Sequence, residues 1–409
     1  MSPPDLAPDI ATFEVALAMA LLVLSLFCAH ALCQPRKALV VRWPLVVFFA
    51  LNAIGLLRYV MRGLDPGMEW PRTLLLLELA NIPISLAQPA LLWFYVCLLT
   101  GAGPLHLPRR ALWHLLPALL AVGLVTVAAF QPQSTFDNLI LPFAEMSWLE
   151  RGLVLGFYLA TVLFHLMGPV YSLLVIRQLM RYRIALKDLF ASTERREMSW
   201  LRWLALMALA FWCVNIVDVL LEVLEIGLPP INPWLDLTVL AAAHFLLVWV
   251  LGLWGLRQKP GLLPPERPTP TAPTPLPTPK PMPPAPRKYG KSALSDSRMD
   301  RLADKIRLLM EVDHLYRDPN LTLWDLATRL GASTNHVSQA LNEGVGQCFF
   351  DYVNEWRARD AATRLRGSED TVLDVAFAVG FNSKSAFYKS FRRVFETTPT
   401  QYRQRHRRA

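Results

Sequence analysis

Two sets of polar side chains near the C-terminal end of the chain share one arrangement. The first is Thr334, Asn335, His336, Ser338, Gln339 and Asn342; the second is Ser383, Lys384, Ser385, Tyr388, Lys389, Arg392 and Arg393. Amide side chains can bond bidentately to an adenine edge, hydroxyls can reach bases or phosphates, and Lys and Arg pair with phosphate oxygens. Each set recurs at helical spacing, with apolar residues between its members: Val337 and Leu341 in the first, Phe387 and Phe391 in the second. An ordinary solvated helix face would account for any one of these residues. Two whole sets, each placed behind a glycine, point to duplex DNA.

The elements that must carry these sets are legible around them. Leu321–Leu341 reads LTLWDLATRLGASTNHVSQAL and Thr371–Phe391 reads TVLDVAFAVGFNSKSAFYKSF. In the first, Thr322 is the expected N-cap. Leu323, Leu326, Ala327 and Leu330 form the inward face of a supporting helix, Gly331 turns the chain, and Ser333 caps the next helix. In the second, Val372, Val375, Ala376 and Val379 point inward, Gly380 turns, and Asn382 or Ser383 caps. Glycine suits both turns because positive φ costs it little. Between the units, Phe349–Leu365 is expected as a long helix with Phe350, Val353, Trp356 and Ala361 as its apolar stripe. Upstream, Met299, Leu302, Ile306, Leu309 and Met310 share a helix face. No alternating strand pattern stands out, so the expected fold class is all-α.

Residues from about 300 to 405 resemble the AraC/XylS-type DNA-binding domain. The matching pieces, in order, are Leu321–Leu330, LNEGVGQCFFDYVNEWR at Leu341–Arg357, DVAFAVGF at Asp374–Phe381, and SKSAFYKSFRRVF followed by TPTQYR within Ser383–Arg403. The resemblance implies two helix-turn-helix units, at about 321–342 and 371–393, joined by the helix Phe349–Leu365. It implies that they enter successive major grooves about one turn (~34 Å) apart. Lys389 occupies the place of the family's usual arginine, and Glu396 stands where the family commonly has glycine before Thr398–Pro399. The resemblance covers about a quarter of the chain and carries no information about a signal. The family's usual soluble sugar-binding β-domain is absent, and apolar segments stand in its place, as in membrane-bound members.

The rest of the chain is of another kind. The 409 residues are 54% hydrophobic and 18% charged, with a mean hydropathy of +0.32, whereas soluble domains carry about 25% charge. Apolar stretches long enough for the roughly 20 residues of a bilayer crossing lie near 10–32, 41–60, 73–99, 111–130, 149–176, 200–226 and 234–256, seven in all. The first does not read as a cleaved signal, because Asp5, Asp9 and Glu14 stand where Lys or Arg would be expected. Loop charges alternate. Arg36, Lys37 and Arg42 follow the first span, Arg109 and Arg110 the third, and Arg177, Arg181, Arg183, Lys187, Arg195, Arg196 and Arg202 the fifth. Asp137 and Glu145 follow the fourth, and Glu222, Glu225 and Asp236 the sixth; the loop after the second is mixed. The positive-inside rule then places the N-terminus outside and the C-terminus in the cytoplasm of a bacterial plasma membrane.

Pro260–Pro286 holds 13 prolines in 27 residues and is expected to be disordered and polyproline-II-like, reaching up to ~80 Å at ~3.1 Å per residue. The expected organisation is a membrane domain at 1–258, a linker at 259–290 and a DNA-binding domain at 291–409. Of the formal charge of +9, most lies in residues 287–409, with 21 Lys and Arg against 15 Asp and Glu. That balance suits an anionic partner.

Polar groups inside spans are costly. Glu78, Asn81 and Gln88 with Pro83 and Pro89, together with His165, Asn215, Asp218 and His244, are read as a sensor pocket, or more plainly as inter-helix hydrogen bonding. Cys28, Cys33, Cys97, Cys213 and Cys348 show neither metal spacing nor a disulfide framework. No haem-attachment motif accompanies His165 or His244, no catalytic arrangement emerges, and no cofactor or metal is expected. The expected partners are duplex DNA, the membrane, a second copy of the chain, RNA polymerase, and an unidentified small-molecule or envelope signal. Two other classes fit parts of the chain: a transporter or membrane enzyme with a regulatory DNA-binding tail, and a DNA tether without sensing. Because a flexible spacer transmits little torque, control through dimerisation or effective concentration is favoured over levering.

Overall fold

A computed structural model describes residues 7–34, 39–64, 71–101, 109–132, 135, 145–194, 196–224, 233–257 and 296–407. The expected linker at 259–290 lies outside the described residues, as do Arg195 and several of the loop charges used for orientation. The described residues form fourteen α-helices and no strand. The chain divides into two compact units, residues 1–180 with 198–261, and residues 181–197 with 262–409.

The first unit contains α1 (Ala7–Leu32), α2 (Leu39–Leu64), α3 (Pro71–Thr100), α4 (Leu116–Ala129), most of α5 (Trp148–Leu189), α6 (Ser199–Val223) and α7 (Pro233–Arg257). Chain neighbours pack together from α1 to α4, and α7 returns against α1. Six segments are long and apolar enough to cross a membrane, judged by length and composition alone: Val15–Leu32, Val40–Met61, Leu75–Thr100, Arg109–Ala129, Trp148–Leu189 and Ser199–Leu221. Within α7 the shorter apolar stretch is His244–Arg257. Helix backbones approach closely where side chains are small. A methyl group on Gly252 would come 2.3 Å from Cys28 Sγ, and one on Gly168 would enter the Trp212 ring. This is how apolar helices associate when van der Waals packing holds them together.

One helix departs from its expected length. The apolar run ends near Ile176, yet α5 continues to Leu189, 42 residues in all and about 63 Å long. A bilayer's hydrocarbon core is about 30 Å thick. Beyond Ile176 the pattern changes from apolar on all sides to amphipathic: Leu179, Tyr182 and Leu186 are buried, while Arg177, Arg181, Arg183 and Lys187 fall between them. The helix therefore has reason to persist after its lipid-compatible part ends.

The second unit has two cores. The first gathers Ile306 and Met310 of α8 (Asp296–Glu311), Leu323, Leu326 and Ala327 of α9 (Leu323–Leu330), Val337 of α10 (Thr334–Gln339), and Phe349, Tyr352 and Val353 of α11 (Phe349–Gly367). The second gathers Ala358, Ala361, Ala362 and Leu365 of the same α11 with Val375 and Ala376 of α12 (Val372–Ala378), Phe387 and Phe391 of α13 (Lys384–Phe395), and Tyr402 of α14 (Pro399–Arg407). One helix thus supplies its first half to one core and its second half to the other.

Candidate nucleic-acid interface

Each polar set sits on a helix whose entry is capped by a side chain. Thr322 accepts from Asp325 N while the Asp325 carboxylate accepts from Thr322 N at 3.1 Å, a reciprocal capping box that starts α9. Gly331 ends α9 in the left-handed region at φ 61°, and Ser333 accepts from His336 N at 3.2 Å to begin α10. In the second unit Thr371 caps α12. Of the two candidates for the next cap, Ser383 takes the role, accepting from Ala386 N at 3.2 Å. The Asn382 amide donates instead to the Pro319 carbonyl at 2.9 Å.

The two turn glycines are required for different reasons. Gly331 needs only its positive φ, since nothing lies near where a Cβ would be. Gly380, at φ 98°, also presses against the preceding segment: a Cβ there would sit 2.7 Å from the carbonyl oxygens of Tyr316 and Arg317. At the far end of α13, Glu396 takes the left-handed cap position at φ 55°. A glycine there would avoid both the steric cost of that conformation and a carboxylate at the negative end of the helix. With glutamate in place, its N–H donates to the Arg392 carbonyl at 2.9 Å.

The polar faces are presented as follows. Asn335 and Asn342 are exposed; Thr334, His336, Ser338 and Gln339 are half-buried. Gln339 donates to Glu343 at 2.8 Å and Asn342 to Ser338 at 3.2 Å, so the two amides tie α10 to the π-helical turn Ala340–Val345 that follows it. Lys384, Ser385, Lys389, Arg392 and Arg393 are exposed, and Ser383 and Tyr388 are half-buried. Lys384 lies over the Tyr388 ring at 5.5 Å. Arg393 is ion-paired with Asp351 of α11 and also donates to the Asp351 carbonyl at 3.2 Å, which fastens α13 to the linker helix. Burial lowers the Arg393 pKa, and Cys348 opposes that shift.

Sequence reasoning missed the polar centre of the domain. Asn354 and Arg357 are 1% and 0% exposed on α11, between the two cores. Arg357 Nε donates to Tyr316 O at 2.7 Å and Nη2 to Asp318 O at 2.7 Å, while Nη1 bonds Asn354 Oδ1 at 3.2 Å and Ala191 O at 3.3 Å. Its guanidinium also lies 5.7 Å from the Phe381 ring centre. Burial pushes its pKa down to about 10, opposed by Glu194 and Asp318, so it stays charged at neutral pH. The register that points to it is the i+4 series Val353, Arg357, Ala361, Leu365, all buried. The expected stripe took in Phe350 and Trp356 instead, which are half-buried. Beside Arg357, Asp360 accepts from Arg317 at 3.0 Å, Arg364 at 3.1 Å and the Tyr316 hydroxyl at 3.1 Å.

Of the residues read as a sensor pocket, the structure joins two. Asn52 Oδ1 meets His244 Nε2 at 3.1 Å and the Gln88 amide at 3.5 Å, and Asn52 donates to Ser25 at 2.9 Å. Ser25 and Asn52 were not singled out from sequence. Asn81 lies where α2 and α3 approach, 2.8 Å from a Cβ placed on Gly55. His165 bonds the Thr161 carbonyl and Asn215 the Phe211 carbonyl, each on its own helix. Glu78 is half-buried on α3, and the Asp218 side chain lies outside the described residues.

Residues 326–405 match the family model described as a helix-turn-helix domain. An HTH-type transcriptional regulator of Staphylococcus aureus strain COL is 32% identical over 120 residues, 29% of this chain and 15% of that protein. An AraC-like transcription regulator of Streptomyces lividans is 35% identical over 91 residues, 22% of this chain and 30% of that protein. The chain therefore spans only a minor part of the relatives it matches. A solved protein of unknown function from Listeria innocua is 23% identical, covering 24% of this chain and 94% of its own, with a TM-score of 0.23. The C-terminal part of the chain carries an AraC-type helix-turn-helix domain.

Proposed function

We propose that the chain is a membrane-embedded one-component transcription regulator. It would bind specific duplex DNA through its two helix-turn-helix units, with the apolar helices acting as sensor. The observation that carries this reading is the pair of capped units, each presenting a polar helix, fastened to one linker helix. In this reading Asn335, Gln339 and Asn342 address base edges, and Lys384, Lys389 and Arg392 address phosphates. Arg393 is already held by Asp351, so a contact with DNA would require it to exchange partners.

The proposed organisation is a membrane domain at 1–258, a linker at 259–290 and a cytoplasmic DNA-binding domain at 291–409. Its support is the alternation of loop charge and the length of the apolar helices. These helices also turn large apolar side chains outward, such as Leu155, Leu159, Val162, Leu166 and Val170 on α5. Such a surface suits lipid. For sensing, the support is the Ser25, Asn52, Gln88 and His244 cluster, which links four of the apolar helices by groups that are expensive to place in a bilayer.

The test uses the full chain in nanodiscs and a panel of duplexes. Affinity for the preferred duplex should fall steeply as salt rises, because phosphate contacts release counterions. A flat salt dependence would sink the phosphate assignment. Gln339→Ala should relax base preference at one half-site, and Arg392→Ala should weaken all duplexes alike. Equal effects on specificity would refute that division of roles.

A further inference from the structure

The segment Arg181–Glu197 belongs to the second unit, although it follows an apolar helix of the first in sequence. Its middle is built into the first helix-turn-helix core. Phe190 and Ala191 are 2% and 1% exposed. Ala191 N donates to Leu321 O at 3.2 Å, and Phe190 forms an antiparallel bridge with Thr322, the residue that caps α9. The Phe190 ring meets Trp324 edge-on at 5.5 Å, and the Arg196 guanidinium lies over it at 4.1 Å. The Ala191 carbonyl accepts from both buried polar residues of the linker helix, Asn354 at 3.1 Å and Arg357 at 3.3 Å. Ser192 Oγ accepts from Arg357 at 3.4 Å. Within the segment, Arg183 pairs with Glu197 at 3.1 Å and Tyr182 donates to Arg196 O at 3.1 Å, which holds the two ends of the loop together.

A buried donor without its acceptor costs more than an ordinary hydrogen bond contributes. Asn354 and Arg357 share one acceptor, the Ala191 carbonyl, and Arg357 also reaches Ser192 Oγ, so the linker helix carries a site shaped for this peptide. We propose that this site is a docking surface whose occupant is the Phe190–Thr193 peptide of the same chain. That peptide is then a second connection from the apolar helices to the DNA-binding domain, independent of the proline-rich segment. It runs from α5 directly into the cap of the first supporting helix and the arginine that spans both cores. A displacement of α5 would reach the helix-turn-helix units by this route.

The test is to cut the other connection. A specific protease site is placed within residues 260–286 of the full chain, and after cleavage the N-terminal fragment is captured by a tag in nanodiscs. The C-terminal fragment should stay bound. Ala191→Arg, which sets a bulky like charge against Arg357, should reduce the retained fraction about tenfold or more. Hydrogen exchange at the α13 core reports that the fragment is still folded. If that variant fails to fold, competition decides: a synthetic Arg181–Glu197 peptide should displace the wild-type fragment, and the same peptide with Ala191→Arg should not. Release of the wild-type fragment on cleavage, equal retention in a folded Ala191→Arg variant, or failure of the peptide to compete would each overturn the proposal. No DNA enters this measurement, so its failure is distinguishable from failure of the DNA-binding reading.

Discussion

Gly331 and Gly380 occupy equivalent turns but should respond differently to a methyl group. Gly331→Ala adds only left-handed strain, about 1 kcal/mol. Gly380→Ala adds strain and a Cβ 2.7 Å from two backbone oxygens, which cannot move as a flexible side chain could. It should cost roughly 3 kcal/mol or more. Hydrogen exchange at α13 amides in the full chain would measure both; similar costs would refute the distinction. Both glycines were legible as turns because positive φ has a sequence signature. The backbone crowding at Gly380 was not, because it depends on the Tyr316–Arg317 segment, which is more than sixty residues away in sequence.

At the scale of elements, the linker helix decides how the two units relate. Its placement and length were readable from Phe349 onward, and its observed end at Gly367 lies two residues past the expected one. Its inward face was not fully readable, because an arginine on an apolar register looks like a break in the stripe until its acceptors are known. Those acceptors are carbonyls of Tyr316, Asp318 and Ala191, and a backbone carbonyl has no residue signature. The neighbouring Asp360 gives this junction a pH dependence. Burial alone would raise its pKa, but hydrogen bonds and charge from Arg364 and Arg317 outweigh that and hold it below the usual carboxylate value. A depressed acid contributes stability that is complete above its unfolded pKa of about 4 and is lost as pH falls through the lower folded value. The junction between α11 and the Leu315–Arg317 turn should therefore loosen on acidification below about pH 4. Asp360→Asn should be less stable at neutral pH and should flatten this part of the acid profile. Exchange at the Arg317 and Asp318 amides followed against pH would read it; an unchanged profile in the variant would assign the acid response elsewhere.

At the scale of the molecule, the chain passes between the unit of apolar helices and the helix-turn-helix unit three times, into and out of residues 181–197 and again after residue 261. If the chain spans a bilayer as proposed, it should remain with the membrane pellet through high-salt and alkaline washes and leave only with detergent, as a peripheral protein would not. Release by alkali would refute the membrane reading. The amphipathic end of α5 lies beyond the part of that helix suited to lipid. The loop after it, which charge alone reads as a basic surface segment, is partly core.

Some of this was settled by the residues in order. Helix periodicity, capping residues and turn glycines act over three or four positions, so the two helix-turn-helix units and their polar faces could be read directly. Apolar length acts over about twenty positions, and it marked the helices of the first unit within a few residues except at the far end of α5, which runs on from the expected Ile176 to Leu189. The choice of Ser383 over Asn382 as cap, the burial of Arg357, the pairing of Arg393 with Asp351 and the seating of Ala191 in the first core needed tertiary structure. Each depends on a partner distant in sequence or on a backbone carbonyl common to every residue, and local pattern encodes neither.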